Sequence, residues 1–114
     1  MTGSGTMALA IVVAEAGGDR LVTALTLAAA AAALGRPVAM LFDGSSVAAL
    51  ARANADAVVD ALLASARDLG VRLTACQTGL ADLGLAASAL VDGIETGGMV
   101  GFLAANGDAQ LLLA

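Results

Sequence analysis

Residues 8–14 read ALAIVVA and residues 37–43 read PVAMLFD. Each is a continuous apolar run with no polar alternation. A strand patterned this way is buried on both faces, the situation of a parallel sheet covered by helices. Between the two runs lies LVTALTLAAAAAALG, residues 21–35. It is rich in helix formers and predicts a helix over 20–34, with Asp19 as N-cap and Gly35 as stop. The loop before it carries Glu15, Gly17 and Gly18.

The same alternation continues. After Asp43 and Gly44, Ser45 or Ser46 is placed to cap a helix over 47–53. Asp56 is placed to cap a longer one over 57–69. Polar Asp60, Ser65, Arg67 and Asp68 there leave an apolar stripe at helical spacing, and Gly70 closes it. VRLTA, residues 71–75, reads as a third strand with Cys76 at its end. A short helix over 77–83 follows, with Thr78 as cap, then a further helical turn over 86–91. Residues 93–96 suit a short fourth strand, 99–105 a helix, and 109–113 (AQLLL) a fifth strand. Strand–helix alternation of this kind predicts an α/β fold: a five-stranded parallel sheet with helices on both faces, three layers α/β/α in a flavodoxin- or Rossmann-like layout, joined by right-handed crossovers. With 114 residues the chain is one domain long. Residues 1–7 read as a flexible lead-in, and residues 8–114 as a single domain.

Composition narrows the function. Ten acids against five arginines, with no lysine, give a net charge of −5. Nucleic acid and anionic lipid both call for basic patches, so neither is an expected partner. No histidine is present, which excludes the usual base of Ser-His and Cys-His hydrolases. One cysteine and no histidine cannot supply the ligands of a structural zinc site, so neither metal nor cofactor is expected. A single cysteine cannot form an internal disulfide, which suits a reducing compartment, and the small polar N-terminus lacks the basic start of a signal peptide. Cytoplasm is the expected location. The longest apolar run is shorter than a membrane span needs. Hydrophobic residues make up 60% of the chain and charged ones 13%, against roughly a quarter charged in an ordinary domain. So few charges leave apolar surface exposed on a monomer, which predicts a homo-oligomer.

In open parallel sheets, ligands bind beyond the carboxyl ends of the strands. That edge collects Glu15, Asp43, Cys76 and Glu95, with loop glycines Gly17, Gly44, Gly97 and Gly98. Glycines there let backbone approach a ligand closely. Cys76 precedes a predicted helix start, where negative charge is favoured and a cysteine is placed to act as a nucleophile. Gln77 and Thr78 form its immediate surroundings. Free cysteine also serves commonly as a small packing residue, and that alternative leaves a binding module holding a small anion or nucleotide at the strand ends. The acids could hold magnesium as in a receiver domain, but a receiver's lysine has no counterpart here. Neither G-x-G-x-x-G after the first strand nor a P-loop is present.

Two stretches carry a resemblance: ACQTGLADLGL at 75–85 and LVDGIETGGMVGFLAA at 90–105. Together with the helix LTLAAAAAALG and the strand and turn VAMLFDG, they resemble the DsrE/DsrF-like sulfur-relay family, in its DsrE2-like or peroxiredoxin-like branch. The resemblance implies a compact α/β/α domain on a five-stranded parallel sheet, assembled as a trimer or hexamer. It also implies a sulfur carrier or sulfurtransferase that holds sulfane sulfur as a cysteine persulfide and passes it between donor and acceptor proteins. Cys76 alone matches the sulfur-bearing position. Asp92, Gly93, Glu95, Gly97 and Gly98 match a signature expected to shape the turn beside the thiol. Some members have a second cysteine; this chain lacks one, so no internal resolving disulfide can form.

Overall fold

The computed structural model describes residues 7–114. The lead-in expected over 1–7 therefore lies outside the described residues except for Met7. Five strands, β1 (Leu9–Val13), β2 (Val38–Phe42), β3 (Arg72–Cys76), β4 (Ile94–Gly97) and β5 (Gln110–Leu113), form one sheet. Their order is β4-β3-β2-β1-β5, and every pairing is parallel. Four α-helices join them: α1 (Gly18–Ala33), α2 (Ala57–Asp68), α3 (Gln77–Asp82) and α4 (Met99–Ala105). Two 3-10 segments, Gly44–Leu50 and Ala87–Ala89, complete the connections.

The continuous apolar runs become the central strands. All five residues of β1 and all five of β2 are buried. The alanine-rich helix buries Leu21, Ala24, Leu25, Ala28 and Ala31, a stripe at i, i+3, i+4, i+7 spacing. It packs against α2, whose stripe is Val59, Leu63 and Ala66. Asp56 caps α2 as expected, accepting from the amides of Val58 and Val59 at 3.0 and 3.1 Å. Gly35 and Gly70 end α1 and α2 in the left-handed region, at φ 90 and 88°. Each lets the next residue's amide reach back to the last turn: Arg36 to the Ala31 carbonyl and Val71 to that of Ala66, the Schellman arrangement.

The other expected caps differ. α1 begins at Gly18, with Gly17 in the cap position, so Asp19 lies inside the first turn. Ser45 and Ser46 precede no α-helix. That segment is 3-10 with Asp43 at its cap position, and Ser46 is fully buried. Its hydroxyl lies 2.7 Å from the Asp43 carbonyl and 3.0 Å from that of Val13, tying the end of β1 to the end of β2.

Topology decides which face each helix covers. From β1 through β4 the chain steps the same way across the sheet, so right-handed crossovers put α1 and α2 on one face. The step from β4 back to β5 crosses the sheet in reverse and puts α4 on the other. Register places Ala10, Val12, Ala39, Leu41, Arg72, Thr74, Cys76, Glu95, Gly97, Leu111 and Leu113 on that α4 face. Ala10, Val12, Ala39 and Leu41 in its middle are buried, but with one seven-residue helix its β5 edge stays bare. Leu111 is 56% exposed and Leu113 81% on β5, and Val100 and Leu103 on α4 are exposed as well.

Candidate functional site

Cys76 is the last residue of β3 and occupies the N-cap position of α3. The chain passes from strand to helix with no intervening loop. Thr78 is therefore inside the helix rather than its cap, and both it and Gln77 are exposed. The helix ends at Asp82, one residue short of the expected Leu83, and has six residues. Its short stack of peptide dipoles favours negative charge only weakly.

Around the thiol the backbone is close. Gly97 is the register partner of Cys76. α3 lies against the 3-10 segment so tightly that a Cβ on Gly79 would sit 2.7 Å from the Gly44 carbonyl oxygen. Gly44, Gly97 and Gly98 thus stand near the junction, as their place at the strand ends implies. Cys76 itself is 6% exposed and belongs to the hydrophobic core. The sequence did not show this: a strand-end position leaves open whether the side chain points to solvent or inward.

The remaining predicted residues are not gathered with the thiol. Glu15 is exposed and makes no hydrogen bond or ion pair among the described residues. Gly17 is extended backbone in which a Cβ would meet nothing. Asp43 serves the chain through its backbone: its amide donates to the Val13 carbonyl at 2.9 Å. Four surface cavities of about 130 to 420 Å³ are lined by residues other than Glu15, Gly17, Asp43 and Gly44. Among the described residues no group of His, Cys, Asp and Glu is arranged to hold a metal ion.

Glu95 faces Thr74 in register, two residues below Gly97, and is held by Arg72. The guanidinium donates Nε and Nη2 to its two oxygens at 3.2 and 3.1 Å. That hydrogen bond, foremost, keeps the Glu95 carboxyl below its ordinary value and raises Arg72. The carboxylate is thereby turned toward Arg72 rather than left as a free charge beside the sulfur. Asp92 and Gly93 also sit elsewhere than expected. They precede β4, at the opposite end of the strand from Gly97. There the Asp92 carboxylate accepts from Arg52 at 2.7 Å, and its carbonyl accepts from Arg67. Two of the five signature residues, Asp92 and Gly93, lie at the entry to β4; Gly97 and Gly98 stand at the strand end that pairs with Cys76.

A parallel five-stranded sheet with a cysteine closing its third strand is what a family model can be tested against, and the DsrE/DsrF-like model matches residues 7–113. The chain belongs to the DsrE/DsrF-like family. This DsrE/DsrF-like chain shares its fold with the ychN protein of E. coli, at a TM-score of 0.77 and 22% identity over 95% of this chain and 98% of that one. It is also similar to a conserved protein of unknown function, BT1422, from Bacteroides thetaiotaomicron. There the TM-score is 0.63 and identity 18%, over 92% of this chain and 94% of that one. No curated protein matches the sequence. Among the described residues no helix of this family member is long and apolar enough to cross a membrane.

Proposed function

We propose that this chain is a sulfur carrier that accepts sulfane sulfur on Cys76 and passes it to a partner thiol. The supporting observation is that the one cysteine of a DsrE/DsrF-like chain closes β3 where backbone from β4 and the β2 loop converges. The chemistry asks little of the neighbours. The Cys76 thiolate attacks the outer sulfur of a donor persulfide, the donor's S–S bond breaks, and the donor leaves as a thiolate. Cys76 is left as a persulfide, and the reverse step unloads it. No histidine base and no net oxidant are required. At 6% exposure the sulfur is reached when the β3–α3 junction opens locally, so opening limits the rate. A lone free thiol suits a reducing compartment, and we place the protein in the cytoplasm. The exposed apolar residues Leu111 and Leu113 support a homo-oligomer, and the family resemblance suggests a trimer or hexamer.

The burial of Cys76 favours a second reading, in which the thiol only packs and the protein is a binding module. Intact-mass analysis after incubation with inorganic polysulfide separates the two. The carrier gains sulfur on Cys76, removable by a reducing thiol and absent in Cys76→Ala. A wild-type chain that gains none is the packing module.

A further inference from the structure

A groove of about 240 Å³ opens on the α4 face of the sheet, one register step below Cys76. Arg72 and Thr74 of β3 and Glu95 and Gly97 of β4 line it, with Gly101 of α4 on the wall and Asn106 at the end of that helix. The volume falls below the ~300 Å³ at which drug-sized sites begin, so the occupant is small.

Several polar atoms here have bonding capacity that the chain does not use. Arg72 engages Glu95 through Nε and Nη2; its Nη1 has no partner among the described residues. The same holds for the hydroxyl of Thr74. Asn106 uses its Nδ2 on the Phe102 carbonyl at 2.8 Å and leaves its Oδ1 free. Each Glu95 oxygen retains a second lone-pair direction. A ligand of one sign would be repelled by the like-charged half of the Arg72–Glu95 pair. A ligand bearing a carboxylate and an ammonium side by side satisfies both halves and leaves the pair intact. The wall is also open without internal cause. Glycine weakens a helix interior, yet Gly101 has no positive φ, and a Cβ there would meet nothing within 4 Å.

Resting on the carrier reading of Cys76, we propose that this groove binds a small amino-acid persulfide, cysteine persulfide being the simplest, as the sulfur donor. Its carboxylate lies on Arg72 Nη1, its ammonium on Glu95, and its side chain runs toward Gly97, the register partner of Cys76; Cys76 does not line the groove, and its sulfur meets the ligand when the β3–α3 junction opens. From Thr74 to Cys76 is two residues, about 7 Å of strand, the scale of one small amino acid. The step balances: the Cys76 thiolate attacks the outer sulfur of R–S–SH, the S–S bond breaks, and its electron pair leaves on the inner sulfur as R–S⁻. The proton stays on the transferred sulfur, now on Cys76.

The test pairs a binding probe with two donors. S-methylcysteine carries the zwitterion but has no sulfur to give; its binding is read by calorimetry on the wild-type chain, Gly101→Leu and Arg72→Gln. Gly101→Leu keeps the helix, since a Cβ there has open space, and fills the groove. Saturable binding to wild type, weakened about tenfold or more by either substitution, is expected. Loading of Cys76 from cysteine persulfide slows in the same variants, while loading from inorganic polysulfide, which has neither carboxylate nor ammonium, is unchanged in Gly101→Leu. A wild-type chain that loads from polysulfide but does not bind S-methylcysteine sinks the groove alone, as does equal binding by Gly101→Leu. A chain that binds S-methylcysteine but takes sulfur from neither donor sinks the carrier reading, and the delivery step with it.

Discussion

Gly79 lies three residues beyond Cys76, in the first turns of α3, and its substitution by alanine tests how closely that helix is seated. Its backbone is outside the left-handed region, so alanine meets no conformational barrier. In an open helix the change would stabilise by about 1 kcal/mol. Here the new Cβ would stand 2.7 Å from the Gly44 carbonyl oxygen, 2.8 Å from Val47 Cγ2 and 3.3 Å from the Gly44 nitrogen. Carbon prefers contacts of about 3.5–4.0 Å. Neither close neighbour can swing aside, since one is backbone and the other belongs to a fully buried valine. The helix must lift, and overpacking of this kind costs about 1–3 kcal/mol. The net expectation, from the middle of that range, is a loss of about 1 kcal/mol, a fall in Tm of roughly 5 °C. Urea unfolding followed by far-UV circular dichroism measures it, at one fixed protein concentration because self-association shifts the midpoint. Gly101→Ala is the control: with open space at its Cβ it should gain about 0.5–1 kcal/mol. A Gly79→Ala chain as stable as the parent, beside a stabilised Gly101→Ala, refutes the close seating of α3 on the 3-10 segment. Lifting α3 also opens the junction over Cys76, so thiol-reagent labelling should quicken in Gly79→Ala and stay unchanged in Gly101→Ala.

Two further outcomes follow from named contacts. Ser46→Ala removes a buried hydroxyl that serves the Val13 and Asp43 carbonyls; both keep a backbone donor, so the loss in urea unfolding should be about 1 kcal/mol. The Arg72–Glu95 pair predicts an acid dependence. The folded Glu95 carboxyl titrates below its ordinary value of 4.5, so its contribution is complete above that pH and fades as pH falls through the lower folded value. Both side chains are more than half exposed, which limits the effect to about 0.5 kcal/mol, less at high salt. Glu95→Gln should match the parent at acidic pH and fall below it at neutrality; the same difference at both pH values would contradict the assignment.

Much of the site's frame is legible in the sequence. Cys76 at the end of a strand, Gly97 and Gly98 at another strand's end, and Asp56 as a cap each follow from residue types within a few positions. The caps that went astray, Asp19, Ser46 and Thr78, failed because a cap depends on where the chain actually enters the helix. At Cys76 the chain enters α3 directly from β3, leaving Thr78 no capping role. Ser46 found its partner in Val13, thirty-three residues away, a contact no local pattern announces. The resemblance implies Asp92 and Gly93 at the turn beside the thiol; they lie elsewhere because a strand carries its two ends apart and they stand at the entry to β4.

The sequence by itself determined the elements, since apolar continuity, helical spacing and glycine stops are local properties of neighbouring residues, and it determined that helices cover both faces. Only the tertiary structure decided how unequally they do so. The return from β4 to β5 leaves α4 alone on its face and Leu111 and Leu113 bare. It also joined Arg72 to Glu95 and turned the sulfur of position 76 inward. Those outcomes depend on which strands lie side by side, and strand pairing is settled by the packing of the whole chain rather than by any one segment's preference.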